Sequence, residues 1–303
     1  MSKIVFWSPL HGQGQTSNLH IISLVLSLLY KKKVLMMQTH MSMNNLEGPL
    51  VGKSMGFLDT EDSSIFQDIG LDAAVMYSRM NMLMDDILES CCVTFPNTSL
   101  LLLPGTEMKN RETYERDICS VLCRMILDAE KSVDTVMIDS DCGREDLSIR
   151  LMSLADIIVI NLTQSKYVLN RFFSEYGDLL NKHKNIFYLF GNYDRNSGYN
   201  INNCLIKYRK YINKNNSGTI PYCTRYMDAQ NDCDILAMAR AGLSYNNMRD
   251  MAMIRDKFNG IYRTVKRTYM ETDYFFYQAI QSAMKIMNMI NSSDNMVQIA
   301  RRG

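Results

Sequence analysis

Short apolar runs alternate with helical patterns along most of the chain. The runs are continuous rather than interrupted by polar residues, as is typical of parallel strands covered on both faces, and they lie at residues 4–7, 34–37, 100–103, 135–138, 157–160 and 186–190, with a last run ending at Ile220. The helical patterns occupy residues 16–30, 73–89, 111–131, 147–154 and 166–181. This alternation predicts an α/β fold with a doubly wound, mostly parallel sheet, in which ligands bind at the carboxyl ends of the strands.

The composition is that of an ordinary folded protein and does not indicate a function. The 303 residues suffice for one large α/β domain or two small ones, and 47% apolar with 21% charged residues is ordinary for a folded chain. A net charge of +1 produces no global field that favours nucleic acid or an anionic membrane. No apolar run reaches the roughly 18 residues of a membrane span, and no signal-peptide pattern opens the chain.

Cysteine and histidine usage favours free thiols over a metal site. The 8 cysteines form no CxxC pair, and the 4 histidines are scattered along the chain. We therefore expect buried free thiols in a cytosolic protein and no zinc site. Cys142, which follows a predicted strand, is interpreted as a loop thiol rather than as a ligand of an iron–sulfur cluster.

A glycine-containing turn joins the first predicted strand to the first predicted helix. Gly12 and Gly14 allow the backbone to approach a ligand closely, and the backbone N–H groups of such a turn bind phosphate oxygens even without a side-chain cation. The hydroxyl of Thr16 or Ser17 is a candidate ligand for Mg²⁺. This layout is that of a nucleotide-binding P-loop.

The turn departs from the strict P-loop pattern GxxxxGK[ST]. Pro9 stands at the first glycine and Gln15 at the lysine, so that only Gly14 and Thr16 remain from the pattern. The alternative interpretation is a glycine turn that merely opens a helix, with Thr16 or Ser17 as its N-cap.

Polar residues at the ends of later strands favour a ligand site. Asp139 ends the strand predicted at residues 135–138, where an aspartate would hold Mg²⁺ or its water. Asn192 follows the strand predicted at residues 186–190, and Pro221 follows the last one. Because ligands of parallel sheets bind at the carboxyl ends of the strands, function is to be sought in the turns that follow them.

In order and spacing, these motifs resemble the MinD/ParA group of P-loop ATPases over about residues 1–240. The resemblance implies a sheet of about seven or eight strands. It also implies ATP as a cofactor, with Mg²⁺ held through Thr16 and Asp139, with Asn192 in contact with the adenine and with Pro221 in the turn beside the base. The implied nucleotide-binding residues are Gly12, Gly14, Gln15, Thr16, Ser17, Asp139, Asn192 and Pro221.

Charged groups that the family uses are missing from this sequence. The family loop carries two lysines, one of which reaches the phosphates of a dimer partner, and Leu10 and Gln15 stand at their positions. The family's carboxylates after the second strand are absent from residues 37–40. Because phosphoryl transfer depends on positioned charge, losing one such cation costs on the order of 10²–10⁵ in rate. We expect a pseudo-ATPase that binds ATP weakly or not at all, with little hydrolysis and no assigned catalytic residue.

The resemblance and these losses together predict a spatial-organisation or scaffold protein rather than a productive enzyme. The leading hypothesis is a TadZ-like protein that localises pilus or secretion assembly, acting as a homodimer with protein partners of a pilus, secretion or positioning machine. The alternative is an active Mg-ATP-dependent ATPase of the MinD/ParA type that positions a division, flagellar or DNA-partition site. The expected location is cytoplasmic, at a cell pole or the inner membrane face.

Residues 241–303 are predicted to form a helical extension of the domain at residues 1–240. Asp273 is the expected cap of the last helix, whose apolar face is too wide for a lone surface helix. This face packs on the sheet, forms a protein or dimer seam, or contacts a membrane surface. The polar residues of the helix form one narrow stripe at Gln278, Gln281, Ser282, Lys285 and Asn288.

Basic residues cluster at positions 207–214 and 263–267. A solvated, lysine-bearing helix is favoured over a DNA-binding surface at these positions, because acidic residues elsewhere cancel the positive charge.

Overall fold

An eight-stranded sheet forms the centre of the molecule. The computed structural model describes residues 1–41, 46–51, 69–106, 108–245 and 267–300 of the chain. The strands are β1 Ser2–Trp7, β2 Val34–Gln38, β3 Val93–Thr94, β4 Leu100–Leu103, β5 Thr135–Asp139, β6 Ile157–Leu162, β7 Ile186–Tyr193 and β8 Ser217–Pro221. Their order across the sheet is β3-β4-β2-β5-β1-β6-β7-β8, and all neighbours are parallel except β3 and β4. The predicted doubly wound, mostly parallel α/β fold is confirmed.

Helices cover both faces of this sheet. They are α1 Gln15–Leu28, α2 Gly48–Val51, α3 Leu71–Arg79, α4 Asp85–Ser90, α5 Arg111–Tyr114, α6 Ser120–Glu130, α7 Asp146–Leu154, α8 Lys166–Glu175, α9 Gly177–Lys182, α10 Ile201–Lys207, α11 Thr224–Asn231, α12 Ile235–Tyr245 and α13 Arg267–Ala300. One core lies between the sheet and α1, α2, α11, α12 and α13. The other core lies between the opposite face and α3 to α8 with α10.

Burial on both faces explains why the strand sequences are continuous apolar runs. In the central strand β1, Val5 and Trp7 belong to one core, whereas Ile4 and Phe6 belong to the other. All four side chains are completely buried. Since successive residues of a strand point to opposite faces, both kinds of position must be apolar in a sheet with two cores.

Three of the predicted helices are interrupted. The helix expected at residues 166–181 is divided into α8 and α9, which meet at Tyr176. The helix expected at residues 73–89 is instead α3 and α4, separated by a turn in which Asn81 adopts a left-handed φ of 59°. Asparagine tolerates this conformation because its short polar side chain can hydrogen-bond locally. The helix expected at residues 111–131 contains a π-helical turn, Glu115–Cys119, between α5 and α6. The short antiparallel strand β3, which no sequence pattern indicated, forms one edge of the sheet.

The last helix, α13, packs on the edge strand β8 and on α1. It begins at Arg267, so Asp273 lies inside the helix and the prediction of Asp273 as its cap is wrong. The side chains of Phe275, Phe276 and Ile280 are buried in the core that α13 shares with α1. Within the described ranges, no helix is both long enough and apolar enough to cross a bilayer. The division of the chain at residue 240 stays a prediction.

Three members of the polar stripe of α13 bond to β8. Ser282 Oγ accepts a hydrogen bond from Thr219 N (3.1 Å) and donates one to Thr219 O (3.2 Å). Thr219 Oγ1 donates to Gln278 Oε1 (2.9 Å), and Lys285 Nζ donates to Ser217 O (2.8 Å). We call these four bonds the β8–α13 seam. Three of them occupy backbone groups of β8, an edge strand whose unpaired groups could otherwise pair with another chain.

Candidate functional site

The turn between β1 and α1 bends through two glycines in the left-handed region. Gly12 has a φ of 77° and Gly14 a φ of 73°, values that residues with a side chain rarely adopt. Gly14 is the N-cap of α1, and no side chain caps the helix. The interpretation of Thr16 or Ser17 as the N-cap is therefore wrong. A helix start without a side-chain cap leaves backbone N–H groups for a ligand or for water.

Asp139 at the end of β5 organises the inner end of the loop. Its carboxylate is completely buried and accepts hydrogen bonds from Gln15 Nε2 (2.6 Å) and Thr16 Oγ1 (2.7 Å). Gln15 Nε2 also donates to Ser140 O (2.6 Å). His40 Nε2 lies 4.0 Å from the Asp139 carboxylate. The amide of Gln15 thus ties the loop to the end of β5, an arrangement that we call the Gln15–Asp139 network.

The nitrogen and the oxygen of the Gln15 amide differ in their hydrogen bonding. Both bonds that involve Nε2 are short, and they use the two hydrogens that a primary amide carries. Gln15 Oε1 is buried and accepts no hydrogen bond from the described part of the chain. A buried acceptor without a partner costs free energy, so this oxygen is the one polar atom of the network that would gain from a ligand or a water.

Gln13, which the sequence analysis did not assign to the site, fastens the loop to the turn after β6. Its side chain is buried, and Gln13 Oε1 accepts hydrogen bonds from Thr163 N (3.1 Å) and Thr163 Oγ1 (2.9 Å). Gln13 Nε2 donates to His11 O (3.3 Å). The sequence could not reveal this contact, because Thr163 is distant from Gln13 in the chain. The only signal was a polar residue between the two loop glycines.

Ser17 lines the loop cavity, yet its polar groups also bind the neighbouring helix α11. Ser17 Oγ accepts a hydrogen bond from Gln230 Nε2 (2.9 Å), and Ser17 O accepts one from the Tyr226 hydroxyl (2.7 Å). These contacts hold the first turn of α1 against α11. Thr16, whose hydroxyl donates to Asp139, is therefore better placed than Ser17 to share an Mg²⁺ ion with that carboxylate.

Asn192 and Pro221 lie at the same edge of the sheet but outside the lining of the loop cavity. Asn192 is exposed near the end of β7 with a left-handed φ of 47°. Its Nδ2 atom lies 3.9 Å from the position that a Cβ on Gly14 would occupy, so it reaches the loop. Pro221 ends β8 and pairs with Tyr193. The fold thus brings Asn192 to the loop, whereas Pro221 lies beside Tyr193 on the edge strand.

A cavity of about 380 Å³ lies between the loop and the strand ends. Among the described residues that line it, none is a lysine or an arginine, so the imidazoles of His11 and His40 are its basic groups. Leu10, at the position implied for the family's first lysine, is 40% exposed and lies outside this lining. The lining consists of Ser8, residues 11–17, His40 and residues 140–142.

Arginines line a neighbouring cavity of about 700 Å³ instead. It shares His40 and Asp141 with the loop cavity. Arg111 forms ion pairs with two glutamates, and Arg144 donates to a backbone carbonyl at the end of α8. These two guanidinium groups are already engaged, and they do not replace the lysines that the loop lacks.

The comparisons with known proteins concern structure rather than sequence. No protein-family model and no curated protein matches the chain. The ParA family ATPase from Chlorobium tepidum is 17% identical, covers 78% of this chain and 92% of its own, and has a TM-score of 0.61. MinD from Pyrococcus horikoshii, complexed with Mg-ADP, is 14% identical, with 92% and 94% covered and a TM-score of 0.59. A chain of the MinC:MinD cell division protein complex from Aquifex aeolicus is 16% identical, with 95% and 96% covered and a TM-score of 0.60.

At these identities the likeness concerns the fold and not the individual residues. It extends over most of this chain and over nearly all of each similar structure. The chain therefore has the α/β P-loop NTPase fold of the MinD and ParA ATPases.

Proposed function

We propose that this chain is a MinD/ParA-like scaffold protein whose nucleotide site is degenerate, so that ATP binds weakly or not at all and is hardly hydrolysed. The observation that carries the proposal is the Gln15–Asp139 network. A neutral amide occupies the position of the P-loop lysine and donates to Asp139 Oδ1 and to Ser140 O, both at 2.6 Å. The Gln15 Nε2 hydrogens, Asp139 Oδ1 and Ser140 O are thereby bonded within the protein, without a nucleotide.

Charge balance explains why binding is weak in this proposal. The phosphates of ATP are strongly anionic, and among the described residues the cavity offers no lysine or arginine. The backbone N–H groups at the start of α1 and the helix dipole remain, and together they contribute only modestly at a solvent-exposed site. Hydrolysis suffers more, because each missing transition-state cation costs on the order of 10²–10⁵ in rate.

Magnesium fits the chemistry of two residues that are present. Thr16 Oγ1 and the Asp139 carboxylate, 2.7 Å apart, are oxygen donors of the kind that Mg²⁺ prefers. This pair favours the alternative function, an active Mg-ATP-dependent ATPase that positions a division, flagellar or DNA-partition site. MinD from Pyrococcus horikoshii was solved with Mg-ADP, which supports ATP and Mg²⁺ as the ligands to test.

The role that we propose is the localisation of a larger machine, as in TadZ-like proteins that mark pilus or secretion assembly. One of the similar structures is a complex of MinD with a second protein, MinC, which supports a protein partner for this chain. We propose a homodimer in the cytoplasm that is recruited to a cell pole or to the inner membrane face. DNA remains a less favoured partner, given the net charge of +1.

Calorimetry of Mg-ATP binding, with light-scattering chromatography of the same samples, tests the proposal. Gln15→Lys restores the missing charge and is expected to raise the affinity for Mg-ATP by about 10- to 100-fold, the equivalent of one charge-assisted hydrogen bond. Gln15→Met, of similar length and without charge, is the matched control and should leave the affinity unchanged. Robust Mg-ATP turnover by the unmodified protein, lost in Asp139→Ala, would overturn the proposal in favour of the active ATPase.

A further inference from the structure

His11, Asp141 and Cys142 meet at the loop cavity. One ligand atom from each residue lies within 4.8 Å of the other two. His11 is exposed in the turn after β1, whereas Asp141 and Cys142 are half-buried in the turn after β5. All three residues line the cavity described above, and they take no part in the Gln15–Asp139 network.

The two turns that carry these residues are tied together by the backbone. Gly143 N donates to Ser8 O (3.0 Å), and the Trp7 indole donates to Gly143 O (2.9 Å). Trp7 is completely buried, so this connection is anchored in the core. The proximity of His11 to Cys142 is thus built into the ends of the adjacent strands β1 and β5 rather than produced by two unconnected loops.

The Asp141 side chain is also held in place. Cys142 N donates to Asp141 Oδ1 (2.8 Å), which fixes one carboxylate oxygen and leaves the second for a cation. Ser148 Oγ, on α7, donates to Asp141 O (2.8 Å). Hydrogen bonds of this kind orient metal ligands in many proteins.

We propose that His11, Asp141 and Cys142 form a binding site for a divalent transition metal of the zinc class. A nitrogen, an oxygen and a sulfur ligand suit Zn²⁺, whereas Mg²⁺ requires oxygen ligands, so this site is distinct from the Thr16–Asp139 pair. Zinc bonds of about 2.0–2.3 Å require ligand atoms roughly 3.5 Å apart, so no pair of these groups, all within 4.8 Å of one another, needs to close by more than about 1.3 Å. His11 can make this movement because it is exposed.

Such an ion would bring positive charge to a cavity that lacks lysine and arginine among its described lining residues. Three protein ligands leave one tetrahedral position for water or for another oxygen ligand. The inference does not depend on the proposed scaffold function, because the three residues meet whether or not a nucleotide binds. The lack of CxxC pairs predicts no zinc site, yet these three ligands come from two turns that are distant in sequence.

Titration of the full, chelator-treated protein with Co²⁺, without nucleotide, tests the site. We expect one Co²⁺ per chain, a thiolate-to-cobalt charge-transfer band, the intense visible bands of four-coordinate cobalt, and displacement of Co²⁺ by Zn²⁺. Cys142→Ser should abolish the charge-transfer band, whereas Cys123→Ser, which removes a half-buried thiol on α6, should leave it intact. His11→Ala removes an exposed side chain and should weaken Co²⁺ binding by at least about 100-fold.

Thermal unfolding of each variant shows whether the fold is retained. The His11→Ala variant keeps the test decisive even if Cys142→Ser fails to fold. The proposal is overturned if the unmodified protein shows no charge-transfer band, or if the band remains in Cys142→Ser. So does unchanged Co²⁺ affinity in His11→Ala.

Discussion

The loop region and the β8–α13 seam both place polar side chains in buried surroundings, but they use them differently. At the loop, Gln15 and Thr16 converge on one carboxylate, Asp139, and a cavity of about 380 Å³ opens beside them. At the seam, Ser282 and Lys285 bond to backbone atoms of β8, and the helix lies directly on the strand.

The two regions differ in what their polar side chains bind. Backbone groups of an edge strand must find a partner, so side chains that satisfy them stabilise the fold and leave nothing for a ligand. Polar side chains that converge on a buried charge beside an open cavity can exchange their partners for a ligand. We therefore expect the seam to govern the free energy of unfolding, and the loop to govern the binding of nucleotide and metal.

The largest effect is expected when the packing of α13 is broken. Phe276 is buried against α12, where a side chain on Gly242 would overlap its ring. Phe276→Ala should lower the free energy of unfolding by about 3–5 kcal/mol, because it removes a large buried ring and leaves a cavity. Urea titration measures this, with the exposed Asn291→Ala on the same helix as the control. A loss for Phe276→Ala as small as that of the control would show that α13 is not part of the folded core.

The pH dependence of stability probes α1, the helix that contacts both regions. Burial lowers the pKa of His20 from 6.5 to about 4, and its hydrogen bond to Leu46 O only partly opposes this. In the unfolded chain His20 takes up a proton below about pH 6.5, whereas in the folded chain it does so only below about pH 4. The free energy of unfolding should therefore fall by up to about 3 kcal/mol as the pH drops through this window.

The variant His20→Gln keeps a donor for Leu46 O and removes the titrating group. Urea titrations at several pH values across the window should show a shallower slope for this variant than for the unmodified protein. An identical slope in the two proteins would assign the pH dependence to another residue.

The seam itself is tested by Ser282→Ala. This change leaves Thr219 N and Thr219 O without their side-chain partner in a buried position, which should cost about 1–3 kcal/mol of unfolding free energy. Ser153→Ala, which removes an exposed bond to Ile149 O within one helix, is the control and should change stability by less than about 0.5 kcal/mol. Equal losses in the two variants would mean that water replaces Ser282 at the edge of β8.

The smallest effect on stability is expected at the loop. Gln15→Leu removes two hydrogen bonds but also removes the buried oxygen Oε1, which has no partner in the described part of the chain. Because Gln15 is half-buried and lines the cavity, water can take the place of its amide beside Asp139 and Ser140 O, and we expect a change below about 1 kcal/mol in urea titration. A loss larger than that of Ser282→Ala would contradict the distinction between the two regions.

Much of the fold could be predicted from local patterns. Continuous apolar runs identified the parallel strands that are covered on both faces. The strand β3 was not predicted, because a two-residue strand is too short to show a periodic pattern. The helix at residues 73–89 was drawn too long because its methionine-rich turn is as apolar as a helix face. In the C-terminal region, the narrow polar stripe indicated a wide apolar face, but not that three members of the stripe bond to β8.

The sequence by itself determined the order of strands and helices, the glycine turn after β1 and the absence of lysine at Leu10 and Gln15, because these features depend on neighbouring residues. Only the tertiary structure decided which polar groups meet. The contacts of Gln13 with Thr163, of Gln15 with Asp139 and of His11 with Cys142 all join residues that are far apart in the chain. The physical reason is that the order of strands across the sheet sets which turns become neighbours, and hydrophobic burial in two cores, rather than any local polar pattern, sets that order.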